Sequence, residues 1–364
     1  MSVRFGIVGV GGIAEIHARA IEDCAGAQLV ACHTRNVRAG ARFAADHGCV
    51  YTESLDDLLA RGDCDAIAIT SPSGTHAQIG IAAARHGKHV LCEKPLDITV
   101  ERIDALIAAC NEQQVCLGAI FQGRFAPGAL ALKTAIERGR FGRLTQCSAQ
   151  VLWWRDPEYY ARSQWRGTWE LDGGGALMNQ GIHAVDLLLW LAGGVREVSA
   201  RAQTRIHDIE VEDNLTAWLE FDSGALGTIQ ASTASYPGSA RRIDIRGEHG
   251  SVTLVDDAPV LWQFDHSAPE DARFASLGDD SQYGTGTRHG TEMLRGAEML
   301  HGGGAAVPLP ASAEGHRAQY EDFVAAIEQH RPPTVAAAAG RAAVELVRAV
   351  YESSRSGAVV RLHD

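Results

Sequence analysis

The sequence predicts an α/β fold in two parts: a doubly wound parallel sheet over residues 1–121, and an α+β domain over residues 122–364 with a large, mainly antiparallel open sheet. Three observations predict it. The chain has 364 residues, more than a single hydrophobic core usually holds. Short apolar runs alternate with helical patterns up to residue 121, as in sheets whose parallel strands are joined by helices. From residue 125 onward longer β-like runs follow one another, which is typical of an antiparallel sheet.

Strands and helices alternate regularly in the first part. The first strand, residues 4–8, leads through a glycine-rich turn into a helix whose apolar positions include Ile13, Ile16 and Ile21. Further strands are predicted at residues 29–33, 65–70, 89–92 and 115–121. The later helices are predicted at residues 36–47, 77–86 and 99–110, the last one capped by Thr99.

The second part opens with a helix at residues 127–138 and continues as a series of strands. These strands are predicted at residues 144–154, 198–206, 214–221, 225–232, 240–246 and 251–255. Residues 266–305 are polar and glycine-rich, so we predict a long loop there. Two helices follow, at residues 313–330 and 336–353.

Composition and charge fit an ordinary globular protein. Hydrophobic residues make up 46% of the chain and charged residues 21%. The net charge of −12, with no basic run, disfavours nucleic acid and anionic membranes as partners. No apolar stretch approaches the ~18 residues of a membrane span. The eight cysteines form no CxxC pair, so we expect reduced, buried thiols and a cytoplasmic location.

The turn after the first strand has the glycine pattern of a dinucleotide-binding loop. Gly9 permits the tight turn, Gly11 lets the backbone approach a diphosphate, and Ala14 replaces the third glycine where the helix packs on the strand. Gly12 and Ile13 begin the helix, whose N–H groups and dipole would meet the phosphates. An ordinary tight turn is the alternative, but the flanking strand and helix favour the dinucleotide site.

Two further loops follow strand ends, where the ligands of doubly wound sheets bind. One runs from Thr70 to His76 and the other from Glu93 to Pro95. Taken alone, Lys94 could equally be a surface lysine before a turn-forming proline, and Glu93 could serve to orient Lys94. The cofactor contacts predicted in these loops are Thr70, Ser71, Pro72, His76, Glu93 and Lys94.

The residues after the second strand bear on the choice of cofactor. An acidic residue about 20 positions beyond the glycines would bind the adenosine ribose and favour NAD. The chain has no acid there and reads Cys32-His33-Thr34-Arg35-Asn36. Arg35 is suited to a 2′-phosphate, so the sequence slightly favours NADP while remaining compatible with NAD. Thr34 and Arg35 are the contacts predicted at this end of the cofactor.

The glycine-rich segment 165–186 predicts the floor of an active site. It places Asn179 and His183 four residues apart, on one face of a helix, with Asp186 close behind to fix the helix or the imidazole. The alternative for His183 is a core histidine, because its helix is otherwise apolar. A metal site made of His183, Asp186 and the acidic run 207–213 is disfavoured, since alternating acids on a strand usually form a solvated face. We therefore expect no metal.

Aromatic residues and arginines are dense just before and within this segment. The aromatic residues could form a wall on which a sugar stacks, or could pack in the core. Three arginines beside them, Arg155, Arg162 and Arg166, could meet a carboxylate or a diphosphate. The aromatic residues concerned are Trp153, Trp154, Tyr159, Tyr160, Trp165 and Trp169.

These motifs together resemble one family. The loops 9–14 and 71–76, the sequence Glu93-Lys94-Pro95 and the segment 173–186 are similar to those of the glucose–fructose oxidoreductase, inositol dehydrogenase and rhizopine-catabolism (Gfo/Idh/MocA) family of NAD(P)-dependent oxidoreductases. The likeness runs over nearly the whole chain. Within the family, residues 153–160, 165–183 and 209–213 resemble the branch of UDP-N-acetylglucosaminuronate 3-dehydrogenases.

The resemblance implies a dehydrogenase with a Rossmann domain that oxidises a ring hydroxyl of a sugar, sugar acid, nucleotide sugar or cyclitol. Family members place a lysine and a histidine or tyrosine beside the reacting carbon. The matching residues are Lys94, to polarise the oxygen, and His183, as the base. Asn179 stands where some relatives carry aspartate, which removes an acid from the proton relay and leaves the amide to orient the hydroxyl or His183. The expected substrate contacts are Arg124, Trp165, Arg166, Asn179 and His183.

Alternatives remain at this level. A cofactor-binding sensor or repressor without turnover is the alternative from another class, and the presence of both Lys94 and His183 disfavours it. A keto-sugar reductase and a simple sugar or inositol dehydrogenase are the alternatives among enzymes. The resemblance further implies a homodimer or homotetramer assembled through the open face of the second sheet.

Overall fold

A computed structural model of the protein describes residues 2–277 and 313–362. Two sheets organise them, one parallel and one mainly antiparallel, so the predicted fold class is confirmed. Within these residues, no helix combines the length and apolarity needed to span a membrane. All eight cysteines are free thiols, six of them buried.

The N-terminal sheet is parallel, and its central strands are apolar and buried on both sides because helices cover both faces of the sheet. Its strands are β1 (Val3–Val8), β2 (Ala27–His33), β3 (Val50–Thr52), β4 (Ala66–Ile69), β5 (His89–Cys92) and β6 (Leu117–Ala119). Their order is β3-β2-β1-β4-β5-β6. The order reverses between β1 and β4, where Val8 pairs with both His33 and Ile69, and a crevice opens beyond the carboxyl ends of these strands.

Five helices connect these strands. They are α1 (Gly12–Glu22), α2 (Val37–His47), α3 (Leu55–Leu59), α4 (His76–Arg85) and α5 (Val100–Glu112). The side chains of Asn36, Ser54 and Thr99 cap α2, α3 and α5 by accepting a backbone N–H three residues ahead. Helices α1 and α4 have no side-chain cap, and the N-cap residue of α1 is Gly11.

The second sheet has eight described strands in the order β13-β12-β11-β7-β10-β9-β8-β14. They are β7 (Leu144–Leu152), β8 (Val195–Gln203), β9 (Asn214–Phe221), β10 (Leu226–Ser232), β11 (Arg242–Gly247), β12 (Gly250–Val255), β13 (Ala258–Phe264) and β14 (Val360–Arg361). Strands β7 and β10 run parallel, and the other neighbouring pairs are antiparallel.

Helices cover one face of the second sheet. The described helices of this part are α6 (Pro127–Glu137), α7 (Pro157–Ala161), α8 (Ile182–Ala192), α9 (Ala313–Glu328) and α10 (Ala337–Ser356). Helix α8 packs on β7 and α10 packs on β8. Burial alternates along β9: Leu215 and Leu219 are buried beneath the helices, whereas Trp218 on the other face is exposed.

Helix α9 packs back onto the N-terminal sheet, although it follows the second sheet in the chain. It contacts α1 along its length. Tyr320 of α9 lies edge-to-face against Phe5 of β1, with 5.1 Å between the ring centroids, and Phe323 packs nearby. The far end of the chain therefore contributes to the crevice at the edge of the N-terminal sheet.

The structure adds short elements that the sequence patterns did not predict. Strands β3 and β14 and helices α3 and α7 have at most five residues each, too few to show a periodicity. Strand β13 was also missed. Of the loop predicted at residues 266–305, the structure describes only residues 266–277. Within them, Pro269–Leu277 forms a 3-10 helix.

Candidate active site

A cleft of about 1760 Å³ opens beyond the carboxyl ends of the parallel strands. Its other wall is formed by residues around α7 and α8 and at the start of α9. Among the residues predicted for the site, those that line the cleft are Gly9, Gly11, Gly12, Ile13, Thr34, Thr70, Ser71, Pro72, His76, Glu93, Lys94, Trp165, Arg166, Asn179 and His183. Ala14, Arg35 and Arg124 do not line it.

The glycine loop fits a dinucleotide. Gly9 has a φ of +96°, and a Cβ there would lie 2.7 Å from the backbone of Ser71, so a side chain is excluded. A Cβ at Gly11 would meet no protein atom within 4 Å, because this face of the loop opens into the cleft. The first-turn N–H groups of α1 lack a side-chain cap and can bind an anion. Ala14 is fully buried, as expected where the helix packs on the sheet.

His76 ties the two strand-end loops together. Its Nδ1 lies 2.7 Å from the carbonyl oxygen of Pro95, and its Nε2 lies 2.8 Å from that of Ser71. The imidazole therefore fixes the relative positions of the loops after β4 and β5, from which the other cofactor contacts are predicted.

Lys94 lies just beyond the end of β5, where it is partly buried and lines the cleft. Its Nζ donates a hydrogen bond of 2.7 Å to the carbonyl oxygen of Asn179, and its backbone N–H donates to the Glu93 carboxylate at 3.0 Å. Burial lowers the pKa of the Lys94 ammonium, while the charges of Glu93 and Asp172 act in the opposite direction. Lys94 can therefore exchange a proton closer to neutrality than a surface lysine.

His183 lies in the first turn of α8, with its ring edge-to-face against Phe121 at 5.8 Å between centroids. Burial lowers the pKa of its imidazole well below the usual value, and the Lys94 ammonium lowers it further. Neither ring nitrogen hydrogen-bonds to another described residue. A neutral imidazole with a free lone pair thus faces the cleft, as a general base requires.

Asn179 lies on a π-helical turn, Ala176–Gly181, that precedes α8. The prediction that Asn179 and His183 share a face of one α-helix is therefore wrong in this respect. Glu212 supports the turn, because its carboxylate accepts the N–H groups of Gly175 at 2.9 Å and Leu177 at 2.8 Å and the hydroxyl of Tyr351 at 2.8 Å. A Cβ at Gly175 would collide with the Glu212 carbonyl, which explains the glycine.

Asp172 is a site residue that the sequence reasoning missed, although it directly precedes the three glycines. It is buried, and it accepts hydrogen bonds from the Asn179 side-chain amide and, at 2.8 Å, from the Gly167 N–H. Burial raises the pKa of its carboxyl to about 6. An acid thus lies beside the asparagine that stands where some relatives have aspartate.

Aromatic rings and Arg166 line the cleft, and Arg155 stacks on one of these rings without lining the cleft itself. Of the six aromatic residues singled out from the sequence, Trp153, Tyr159 and Trp165 line the cleft. The Arg166 and Arg155 guanidinium carbons lie 4.3 and 4.9 Å from the Tyr159 ring centroid. Among the described residues, neither guanidinium forms an ion pair with a carboxylate, and the Nε atoms of both are buried without a hydrogen-bond partner.

Comparison with known proteins identifies the family. Residues 3–121 match a family model described as an oxidoreductase family with an NAD-binding Rossmann fold, and residues 129–253 match a GFO/IDH/MocA C-terminal domain. An inositol 2-dehydrogenase of Rhizobium meliloti (strain 1021) is 32% identical over 71% of this chain and 78% of its own. The chain belongs to the Gfo/Idh/MocA family of oxidoreductases. The predicted NAD(P)-dependent oxidoreductase activity is thereby confirmed.

Other relatives of this oxidoreductase match over more of its length. A UDP-N-acetylglucosamine 3-dehydrogenase of Acidithiobacillus ferrooxidans is 28% identical over 96% of this chain and 98% of its own. The WlbA dehydrogenase of Bordetella pertussis, solved with NADH and UDP-GlcNAcA, has a TM-score of 0.84 and 32% identity, with both chains fully covered. The structure of the Chromobacterium violaceum WlbA complex with the same two ligands has a TM-score of 0.86 and 31% identity, covering 100% of this chain and 96% of the other.

Two predicted site residues lie elsewhere in the oxidoreductase. Arg124 is buried and forms a bidentate ion pair with Asp186, at 2.8 and 2.6 Å, so it is committed to joining α8 to the segment before α6 rather than to a substrate. Asp186 accordingly fixes the helix, not the His183 imidazole. Arg35 is exposed and lies outside the cleft lining.

Only part of the acidic run 207–213 is the solvated face that its pattern predicted, because Asp208 and Glu210 are exposed and two other acids are not. Glu212 and Asp213 are buried, and the Asp213 carboxylate accepts the backbone N–H groups of residues 205, 206 and 207. These carboxylates serve as backbone acceptors because the polypeptide bends around them. Both carboxylates are therefore engaged in hydrogen bonds with the backbone.

Proposed function

We propose that this oxidoreductase oxidises the 3-hydroxyl of the sugar ring of a UDP-N-acetylglucosaminuronate-type nucleotide sugar to a ketone, with NAD accepting the hydride from C3. The observation that carries the substrate proposal is the pair of arginines, Arg155 and Arg166, beside the cleft. The arginines are held in place yet lack carboxylate partners among the described residues.

The arginine pair favours an anionic substrate for a simple electrostatic reason. A chain with a net charge of −12 offers many carboxylates, yet these two guanidiniums stack on Tyr159 instead. The Arg155 Nη2 donates to the Gln180 Oε1 at 2.5 Å. This hydrogen bond orients the guanidinium, but the neutral glutamine amide does not compensate its positive charge. Guanidinium groups bind carboxylates and phosphates in a planar, bidentate manner. A nucleotide sugar acid carries both.

The substrates named for relatives agree with this choice. The WlbA structures from two organisms contain UDP-GlcNAcA together with NADH. The relative from Acidithiobacillus ferrooxidans is named for 3-dehydrogenation of UDP-N-acetylglucosamine and matches nearly the full length of the chain. Inositol and levoglucosan dehydrogenases also belong among the relatives, so a neutral polyol or sugar is the second candidate.

The catalytic roles follow from the geometry of the cleft. Bound NAD supplies the hydride acceptor. His183, neutral and with a free nitrogen, takes the proton of the substrate hydroxyl as the C–O bond becomes a carbonyl. Lys94 holds its ammonium against the same oxygen and stabilises the negative charge that develops there. Asn179 places the Lys94 ammonium through its carbonyl oxygen and lies beside the reacting hydroxyl.

We propose NAD rather than NADP as the working cofactor. The slight preference for NADP that Arg35 suggested is not confirmed, since the complexes of WlbA contain NADH and Arg35 lies outside the cleft lining. If a 2′-phosphate were bound by Arg35, replacing it with alanine would raise KM for NADP alone. We expect KM for NAD to be the lower of the two and to be unchanged in Arg35→Ala.

We also propose that the protein is cytoplasmic and that it forms a homodimer or homotetramer. The face of the second sheet that the described helices leave uncovered carries exposed apolar side chains, among them Trp218 on β9 and Leu226 on β10. Light scattering coupled to gel filtration tests the assembly. A monomer at micromolar concentration would contradict it.

The decisive experiment measures NADH formation at 340 nm with UDP-N-acetylglucosaminuronate, UDP-N-acetylglucosamine, glucuronate and myo-inositol. We expect the highest kcat/KM for the nucleotide sugar acid. Arg166→Gln should raise KM for UDP-N-acetylglucosaminuronate more than KM for UDP-N-acetylglucosamine, which keeps the diphosphate but lacks the sugar carboxylate. The exposed Arg162→Gln is the matched control. An equal or higher kcat/KM for myo-inositol would overturn the substrate proposal. NADH binding without any turnover would favour a sensor.

A further inference from the structure

Three buried side chains meet at the bottom of the cofactor half of the cleft. His17 comes from α1, Glu93 from the end of β5 and His316 from α9. Their exposed fractions are 0%, 6% and 1%, and their potential ligand atoms all lie within 4.8 Å of one another. The residues lie far apart in the chain, so no sequence spacing could have revealed them.

His316 lacks the hydrogen bonds that a buried imidazole needs. Neither Nδ1 nor Nε2 has a hydrogen-bond partner among the described residues, and both atoms are shielded from solvent. Its Nε2 lies 3.9 Å from the Glu93 Oε1, too far for a hydrogen bond. An unsatisfied buried polar group costs about 1–3 kcal/mol. Such a group in a folded protein indicates a ligand, ion or water that completes it.

The other two side chains are arranged as metal ligands usually are. His17 points its Nε2 at the Glu93 Oε1, 3.0 Å away, while its Nδ1 is anchored by the Tyr320 hydroxyl at 2.8 Å. Glu93 has its second oxygen anchored by the Lys94 N–H at 3.0 Å. In metal sites the far atom of each ligand is typically held by such a contact, which fixes the orientation of the near atom.

We propose that His17, Glu93 and His316 bind a divalent cation of the zinc type. Two imidazole nitrogens and one carboxylate oxygen suit Zn²⁺, whereas Mg²⁺ and Ca²⁺ prefer oxygen ligands alone. In a tetrahedral site with bonds of about 2.0–2.2 Å, ligand atoms lie about 3.3–3.6 Å apart. The separations of 3.0 and 3.9 Å therefore need shifts of only a few tenths of an ångström to bind one ion. The two histidines, within 4.8 Å, need only a small rotation.

The ion accounts for two features that hydrogen bonding leaves unexplained. It gives a His316 ring nitrogen the partner that it lacks, and it compensates the negative charge of the Glu93 carboxylate, which is buried beside two imidazoles. It also fixes Glu93, whose other oxygen holds the backbone of Lys94, and it joins α9 to the N-terminal sheet. The proposed role is structural, and it does not depend on which substrate the oxidoreductase uses.

The metal content of the protein tests this inference. The protein is purified without added metal and after removal of any histidine tag, and bound metal is measured by mass spectrometry. EDTA-treated protein is then titrated with ZnCl₂ by calorimetry. We expect one ion per chain, and at least a tenfold loss of Zn²⁺ affinity in His316→Ala and Glu93→Gln. His183→Ala, which removes an imidazole elsewhere in the cleft, and the exposed His266→Ala should bind Zn²⁺ as the wild type does.

A spectroscopic measurement on the wild type keeps the test independent of whether the variants fold. Co²⁺ added to the EDTA-treated protein should give the intense visible absorption of a four-coordinate nitrogen–oxygen site, and Zn²⁺ should abolish it. The proposal is overturned if the wild type shows neither saturable Zn²⁺ binding nor this spectrum, or if His316→Ala binds Zn²⁺ normally. Weaker NADH binding by His316→Ala, in a protein that binds no metal, would instead assign the unpaired imidazole to the cofactor.

Discussion

The two halves of the cleft are built in different ways. The cofactor half consists of backbone: the loop at Gly9 and Gly11, the uncapped start of α1, and the loops after β4 and β5. The catalytic half consists of side chains held by distant side chains, as when Glu212 and Tyr351 support the turn that carries Asn179. In the cofactor half only a few glycine positions are sensitive to substitution. In the catalytic half each side chain depends on partners that lie far away in the chain. The predictions below test this contrast.

The largest effect is expected in the catalytic half. Lys94→Ala and His183→Ala should each lower kcat by about 10²–10⁴-fold, because each removes a group that moves or stabilises charge at the reacting oxygen. NADH binding, followed by fluorescence, should remain within about threefold of the wild type. The exposed His266→Ala serves as the control. If kcat is unchanged in Lys94→Ala or His183→Ala, the catalytic role proposed for that residue is wrong.

The cofactor half should fail at its glycines, and in two distinguishable ways. In Gly9→Ala a Cβ 2.7 Å from the Ser71 backbone, at a φ of +96°, should cost about 1–3 kcal/mol of stability and also weaken NADH binding. In Gly11→Ala the added methyl projects into the open cleft, so NADH affinity should fall with unchanged stability. Urea denaturation and fluorescence titration separate the two. Normal NADH affinity in Gly11→Ala would mean that the cofactor does not approach this loop.

A third effect should show that the catalytic half depends on distant support. In Glu212→Gln the amide nitrogen replaces one of the oxygens that accept the Gly175 and Leu177 N–H groups, which should cost about 1–3 kcal/mol of stability. The turn that carries Asn179 should loosen, so kcat should fall while NADH affinity is retained. Tyr351→Phe removes a hydroxyl that donates to Glu212 and accepts the Met178 N–H. It should give a smaller change in the same direction, because Glu212 still accepts both backbone N–H groups. Loss of NADH binding in Glu212→Gln would contradict the independence of the two halves.

The same contrast explains what the sequence could predict. Apart from Ala14 and Arg35, the residues predicted to contact the cofactor line the cleft, because a glycine loop between a strand and a helix is a contiguous signal with a known cause. The strands of the N-terminal sheet were predicted for the same reason, and only the shortest elements were missed. Lys94 and His183 were selected through the family resemblance, since a lysine before a proline and a histidine on an apolar helix have ordinary alternatives.

The residues that support the catalytic half could not be predicted from the sequence. Glu212 and Tyr351 are hydrogen-bonded across 139 residues, and nothing in the acidic run 207–213 distinguishes a buried acceptor from a solvated face. Arg124 failed as a substrate contact because its partner, Asp186, lies 62 residues away. Only Asp172 offered a local signal: an acid next to three glycines, seven residues before Asn179.

Asp172 provides the finest test, because its effect should be a shift in pH dependence. Burial raises the pKa of its carboxyl from 3.8 to about 6, so the folded protein binds this proton more tightly than the unfolded chain does. Wild-type stability should therefore fall as the pH rises from about 4 to about 6, and Asp172→Asn should lack this slope. Above pH 6 the carboxylate favours the Lys94 ammonium. Removing its charge should lower the pKa of Lys94 and move the alkaline limb of kcat/KM to lower pH.

The control for this test is Asp208→Asn, which removes an exposed acid from the same part of the chain. It should leave both the pH–rate profile and the pH dependence of stability unchanged. If Asp172→Asn also leaves the alkaline limb in place, the role of Asp172 is only to position Asn179. The charge of Asp172 then does not replace, in the proton relay, the carboxylate that some relatives carry at position 179. A shifted limb with unaltered NADH affinity would mean that Asp172 acts on Lys94 across the cleft floor, and that the catalytic half is tuned by a charge outside the cleft lining.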